Sequence, residues 1–154
     1  MAIDNISKTI KLKDGRTLGY AEYGSQQGKP IIYCHGSPGS HLDWEYLDLK
    51  NEAAELGARV IAPDRPGFGL SDFKRNRQIV DWPSDVIELA DAISIDKFAI
   101  LGVSGGGPYA LVCAAKISTR ITNAAICASM GPADAPGASK GTAMYIPSKN
   151  TLVR

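Results

Sequence analysis

Phe98-Ala99-Ile100-Leu101-Gly102-Val103-Ser104-Gly105-Gly106-Gly107-Pro108-Tyr109 is the stretch that decides how the chain folds. Its first residues form an apolar, strand-like run. Gly102 to Gly106 reads G-x-S-x-G, and Tyr109 to Ala115 is compatible with a helix. Strand, sharp turn, then helix is the context in which G-x-S-x-G marks a nucleophile elbow. Glycines around the serine leave room for a strained turn where a β-carbon would clash. Such a turn lifts the Ser104 hydroxyl above the strand ends and marks it as a catalytic nucleophile.

On either side of this elbow the chain alternates strands and helices. Residues 6–23 read as a hairpin around Asp14-Gly15, with Thr9 to Leu12 and Thr17 to Ala21 as its arms. Pro30 to Cys34 is a short continuous apolar run, as expected of a strand buried on both faces. Leu42, Tyr46, Leu49, Ala53 and Leu56 recur at helical spacing. They predict one amphipathic helix, with Ser40 as N-cap and Gly57 as stop. Arg59 to Ala62 is the next strand. A second helix begins near Pro83, with Val86, Leu89, Ala90 and Ile93 inward, and the elbow helix runs to about Ile117. Ile121 to Ala128 is the last strand. Beyond Gly131 the chain turns rich in Gly, Pro, Ala and Ser, without periodicity.

This order predicts an α/β fold: a mostly parallel sheet of about six strands, the first two as a hairpin, with helices on both faces. Functional loops then belong at the C-terminal ends of the strands. His35 to Ser40, Asp64 to Asp72 and Ser104 to Gly107 occupy such ends, so the three segments make one site.

Composition narrows the function. The chain has 154 residues, 44% hydrophobic and 21% charged, with a net charge of +1. One domain is expected, and no charge excess points to nucleic acid. Lys74, Arg75 and Arg77 read as a solvated loop. No basic-then-apolar leader and no membrane-length apolar run is visible, so a cytoplasmic location is the expectation. Cys34, Cys113 and Cys127 are widely spaced within apolar runs and read as small buried hydrophobes. Close cysteine pairs of the zinc-binding kind are absent. Cys34 and His35 are strand neighbours that point to opposite faces, so they form no dyad.

A serine hydroxyl needs a base within hydrogen-bond reach and a third group that orients the base. It also needs two donors aimed at the transition-state oxyanion. The Gly105 amide supplies one, and the loop after the Pro30–Cys34 strand supplies the other from Ser37. Gly105 to Ala110 also fits G-x-G-x-x-A, but Ala124 to Met130 lacks the acid that would hold a ribose, and no P-loop lysine follows the glycines. Nothing fixes two carboxylates opposite one another. Trp44, Tyr46, Trp82 and Tyr109 read as core or pocket wall.

Three segments carry a family resemblance: His35-Gly36-Ser37-Pro38-Gly39, Asp64-Arg65-Pro66-Gly67-Phe68-Gly69-Leu70-Ser71-Asp72, and Gly102 to Gly106. In this order and spacing the chain resembles the serine-nucleophile branch of the α/β-hydrolase superfamily over about residues 6–130. The resemblance implies that His35, Gly36 and Asp64 support the site, that Arg65 and Asp72 help brace it, and that no metal or organic cofactor is used. It also implies an acid after the seventh strand and a histidine after the eighth, beyond the six strands legible here. His35 matches the oxyanion-loop histidine, and His41 matches no catalytic position. Asp134 is a conceivable acid in a segment that would begin a lid.

The expectation is therefore the N-terminal part of a hydrolase core over residues 1–130, truncated before the last two strands, with 131–154 as the start of a lid or a flexible tail. Its substrate would be a small ester, amide or other acyl compound, attacked by Ser104 through an acyl-enzyme. The isolated chain would be inactive for want of base and acid. Two alternatives stand beside it: a non-catalytic pseudo-hydrolase that binds a small molecule or protein, and a cofactor-free peroxidase or C–C bond hydrolase. An unpaired sixth strand would leave the chain prone to self-association unless a complementing C-terminal half covers it.

Overall fold

The hairpin that opens the chain has strands β1 (Ser7–Lys11) and β2 (Thr17–Gly24), paired antiparallel with Ser7 opposite Ala21 and Lys11 opposite Thr17. The structure, a computed structural model, describes residues 6–129 together with Gly131 and Pro136. The expected lid segment, including Asp134, lies outside the described residues apart from Gly131 and Pro136.

Four more strands follow: β3 (Lys29–Cys34), β4 (Ala58–Pro63), β5 (Phe98–Val103) and β6 (Ile121–Cys127). They join the hairpin in one sheet of order β1-β2-β4-β3-β5-β6. β2 pairs antiparallel with β4, and every later pairing is parallel. The chain leaves β3 toward β4 on one side and returns across it to β5 on the other. The strand order therefore reverses beside β3, and at such a switch point the C-terminal strand ends are where sheets of this kind place their sites.

Alternation along the strands sends side chains to two cores. On one face Leu18, Ile32, Ile61, Phe98 and Ile100 pack against α3 (Trp82–Ala92) and α4 (Gly107–Lys116) through Trp82, Val86, Leu89, Ala110 and Cys113. Each large apolar side chain buried there contributes about 1.5–3 kcal/mol. On the other face Ala21, Tyr23, Tyr33, Val60 and Ala62 meet Ala53, with Trp44 against them. Arg16 ties the hairpin to α3 through a pair with the buried Asp85, Nη2 to Oδ1 at 2.6 Å.

The second face departs from the sequence expectation. The single helix expected from Ser40 to Gly57 is two short ones, α1 (Asp43–Tyr46) and α2 (Lys50–Glu55). Asp48, at φ 54°, breaks the run between them. Leu42, Tyr46 and Leu56 are exposed, Tyr46 at 89%, while Ala53 is buried. With the run broken at Asp48, Leu42 and Tyr46 no longer share one continuous face with Ala53 and Leu56, and on this side Ala53 and the Trp44 ring are what meet the sheet. Tyr46 is thus neither core nor pocket wall. Ser40 is not the N-cap; Leu42 is, without a side-chain cap bond, and the Ser40 hydroxyl accepts from the Leu42 amide. Gly57 does end α2, at φ +63°. Cys34 and Cys113 are buried, but Cys127 is exposed on β6, the sheet edge among the described residues. No helix among the described residues is long and apolar enough to cross a membrane.

Candidate active site

Ser104 stands at the first residue of a 3-10 turn, Ser104–Gly106, between β5 and α4. Its φ is +52°, in the left-handed region that L-residues avoid. Strain of this kind, of order 1–3 kcal/mol, persists where the surroundings enforce it and gathers at functional sites. The enforcement is visible one turn on. A β-carbon on Gly106 would overlap the Cys34 carbonyl, so only glycine lets the turn seat on the end of β3.

The loop after β3 closes over this turn. A β-carbon on Gly36 would come within 3.5 Å of Ser104 Cβ. One on Gly105 would lie 2.8 Å from Ser37 Oγ and 3.4 Å from the Ser37 nitrogen. Ser37 and Gly105 are therefore neighbours beside Ser104, and the peptide between Ser37 and Pro38 is cis.

Arg65, from the loop after β4, lies beneath both and is 2% exposed. Nη2 donates to the Gly36 carbonyl at 2.6 Å and to Ser37 Oγ at 2.9 Å, and Nη1 donates to the Gly105 carbonyl at 3.0 Å. The guanidinium carbon sits 4.9 Å from the Phe68 ring centre and 4.6 Å from that of Tyr109. Burial holds its pKa below the usual arginine value. Its Nε finds no partner among the described residues.

His35 is fully buried. Nδ1 donates to the Gly36 carbonyl at 2.9 Å, which leaves Nε2 to accept from the Arg65 amide at 3.2 Å. Burial, and then the Arg65 charge, push its pKa down to about 4. It is neutral at physiological pH, with both ring nitrogens occupied.

Asp64 is buried and fully engaged. Oδ1 accepts from the His41 amide at 2.7 Å; Oδ2 accepts from His41 Nδ1 at 2.6 Å and from the Leu70 amide at 2.8 Å. The other ring nitrogen of His41, Nε2, lies 2.9 Å from Ser7 Oγ. Ser71 Oγ donates to the Asp64 carbonyl at 2.8 Å, and Asp72 accepts from the Thr17 amide at 2.6 Å. The loop from Asp64 to Asp72 is thereby pinned to β2 and to the segment after β3.

The three segments singled out in the sequence do converge: Ser104, Gly105, Gly36, Ser37, His35 and Asp64 gather at the C-terminal ends of β3, β4 and β5. Ser104 Oγ has no hydrogen-bond partner among the described residues. The chain has two histidines, His35 and His41, and both are spent on other partners. The His41–Asp64–Ser7 linkage and the Arg65 grip were not legible in the sequence, because both join residues far apart in the chain. Arg77, read as solvated, instead lies over the Phe68 ring at 5.5 Å. Among the described residues no cluster of three His, Cys, Asp or Glu could hold a metal ion.

Comparison with known proteins supplies the context for this geometry. Residues 29–150 match the sequence model described as "alpha/beta hydrolase fold". The chain is 32% identical over 126 residues to the non-heme chloroperoxidase of Streptomyces lividans, covering 80% of this chain and 45% of that protein. It is 31% identical over 113 residues to the 2-hydroxymuconate semialdehyde hydrolase of Pseudomonas sp. strain CF600, covering 71% and 39%. Among solved structures, an esterase from Exiguobacterium antarcticum superposes with a TM-score of 0.67 at 27% identity, over 81% of this chain and 46% of that one. The chain spans about half the length, or less, of these relatives.

Proposed function

This chain belongs to the α/β hydrolase fold family, and on that premise we propose that it is the nucleophile-bearing part of a serine hydrolase acting on a small ester, amide or other acyl compound. Ser104 Oγ attacks the acyl carbonyl, its proton passes by way of the catalytic base to the departing alcohol or amine, and the acyl group stays on Oγ as an acyl-enzyme. The Gly105 and Ser37 amides receive the oxyanion, and His35, Gly36 and Asp64 support the loops that carry them. Residues 1–130 would then be core, and the segment after 130 the start of a lid or tail. The observation that carries this reading is the strained Ser104 backbone, φ +52°, with Ser37 and Gly105 packed beside it.

Neither histidine is free for Ser104, so a catalytic histidine and the acid that orients it are not supplied by the described residues. The chain alone then binds and presents an acyl group but does not turn it over. Relatives named as a chloroperoxidase and as a semialdehyde hydrolase favour a second reading, in which the same serine serves peroxide or C–C bond chemistry.

The test supplies the nucleophile with its own ionisation. A Ser104→Cys variant, in a Cys127→Ser background, carries a thiol that ionises without a base. With p-nitrophenyl acetate, acetyl is expected at position 104, and with iodoacetamide a carbamidomethyl group is expected there. Alkylation needs no oxyanion hole and acylation does. A high ratio of acylation to alkylation, relative to Cys127 in the unmodified chain, is the expected outcome. An equal ratio at the two positions would refute the proposal.

A further inference from the structure

Arg65 is a buried cation without an ion-pair partner among the described residues. Its acceptors are three neutral oxygens, those of Gly36, Ser37 and Gly105. Burying a charge without a counter-charge is expensive unless hydrogen bonds replace the lost water. This cation is kept, and all three acceptors belong to the two segments that flank Ser104.

The Gly36 oxygen and the Ser37 N–H share one planar peptide unit. In a trans unit they point in opposite directions, so fixing the oxygen aims the N–H. A hydrogen bond to the oxygen also polarises the unit and strengthens its N–H as a donor. His35 Nδ1 holds the same oxygen from a second side. The grip on the Gly105 carbonyl anchors the residue that supplies the second donor. Phe68 and Tyr109 flank the guanidinium and restrict its plane.

We propose that Arg65 is the positioning residue of the oxyanion hole: its fork grips the Gly36 and Gly105 carbonyls at once, and so holds the Ser37 and Gly105 amides in register over Ser104. The proposal rests on the reading of Ser104 as an acyl-accepting nucleophile. A lysine cannot replace the fork, since its single nitrogen is a point charge that cannot span both carbonyls in fixed geometry.

The experiment adds Arg65→Met and Arg65→Lys to the Ser104→Cys chain. Both are expected to slow acylation by p-nitrophenyl acetate roughly tenfold or more, as loss of an aligned donor does. Alkylation by iodoacetamide is expected to stay unchanged, which general loosening of the fold would not allow. The Ser37 amide proton is expected to move upfield in both variants. Preferential acylation that survives in either variant overturns the positioning role and leaves the hydrolase reading intact. Absence of any acylation preference in the parent removes the hydrolase reading. The grip itself is then decided by the Ser37 amide, and an unmoved resonance overturns it. Should the variants fail to fold, the wild-type chain decides: resolved, slowly exchanging Arg65 Nη protons support the grip, and averaged, fast-exchanging ones overturn it.

Discussion

His41 and Asp64 form a buried pair in which Nδ1 donates to Oδ2 at 2.6 Å, and the far nitrogen of the same ring meets Ser7 Oγ at 2.9 Å. The arrangement has the order of a hydrolytic triad, yet it faces β1 and not Ser104. Its evident work is to tie the first strand, the segment after β3 and the loop after β4 together. It also takes His41 out of contention as a base for the nucleophile.

Removing Asp64 therefore unties three segments at once. Asp64→Ala leaves the His41 ring, the His41 amide and the Leu70 amide without their acceptor. Breaking a buried pair from one side costs about 3–5 kcal/mol. Urea unfolding is the measurement, and a loss below about 1 kcal/mol would contradict the role assigned to the pair.

His35 sets an acid limit on stability. Its native pKa is about 4 against an ordinary 6.5. Between those values the unfolded chain binds a proton that the native chain refuses, so stability falls as pH falls. The loss begins near pH 6.5 and is complete near pH 4. Each pKa unit is about 1.4 kcal/mol, so the total is on the order of 3 kcal/mol. Asp14, whose carboxylate is held low by the hydrogen bond from Arg16, and Glu22, where burial pushes up but the bonds from Arg59 and Lys8 outweigh it, contribute stability that is lost only at lower pH, beginning near their ordinary values. A denaturation series from pH 7 to pH 4 in wild type and His35→Asn is expected to show the upper limb in the wild type alone.

Two glycines separate contact from conformation. Gly57 has φ +63° and open space around it, so Gly57→Ala costs only the left-handed penalty, about 1–2 kcal/mol. Gly106 has an ordinary φ but presses on the Cys34 carbonyl. Gly106→Ala must move the elbow off β3. It is expected to cost about 1–3 kcal/mol and to abolish acylation in the Ser104→Cys chain as well. Equal effects of the two substitutions on acylation would contradict this assignment.

The cysteines differ by burial. Cys34 is buried, which pushes its thiol up to about 12, and burial raises the Cys113 thiol as well. Cys127 is exposed on the edge strand. A thiol reagent applied to the native chain is expected to modify Cys127 alone. Modification of Cys34 before unfolding would contradict the core described here.

Much of this architecture was legible in the sequence, for local reasons. Asp14-Gly15, the apolar strand runs and the elbow each announce themselves within about ten residues, and α3 keeps its expected inner face at Val86, Leu89 and Ala90. The helix over Leu42 to Leu56 failed because periodicity reports which residues could share a face and not what that face meets. The left-handed backbone at Asp48 ends the run after one turn, so Leu42, Tyr46 and Leu56 do not share the face that buries Ala53. The site was legible in its three loops, since their turn residues mark strand ends. The grip of Arg65 and the His41–Asp64–Ser7 linkage were not, because each joins residues brought together only by sheet order.

On the function proposed above, Ser104 stands beside an oxyanion hole with no base for it among the described residues. The decisive measurement is intact-mass labelling of the wild-type chain with a fluorophosphonate at neutral pH, beside a Ser104→Ala control. The expected result is no stoichiometric adduct on either chain, with acylation appearing only when Ser104→Cys supplies a self-ionising nucleophile. A stoichiometric adduct on the wild type that vanishes in the control would contradict the claim, since some group within these 154 residues would then be activating Ser104.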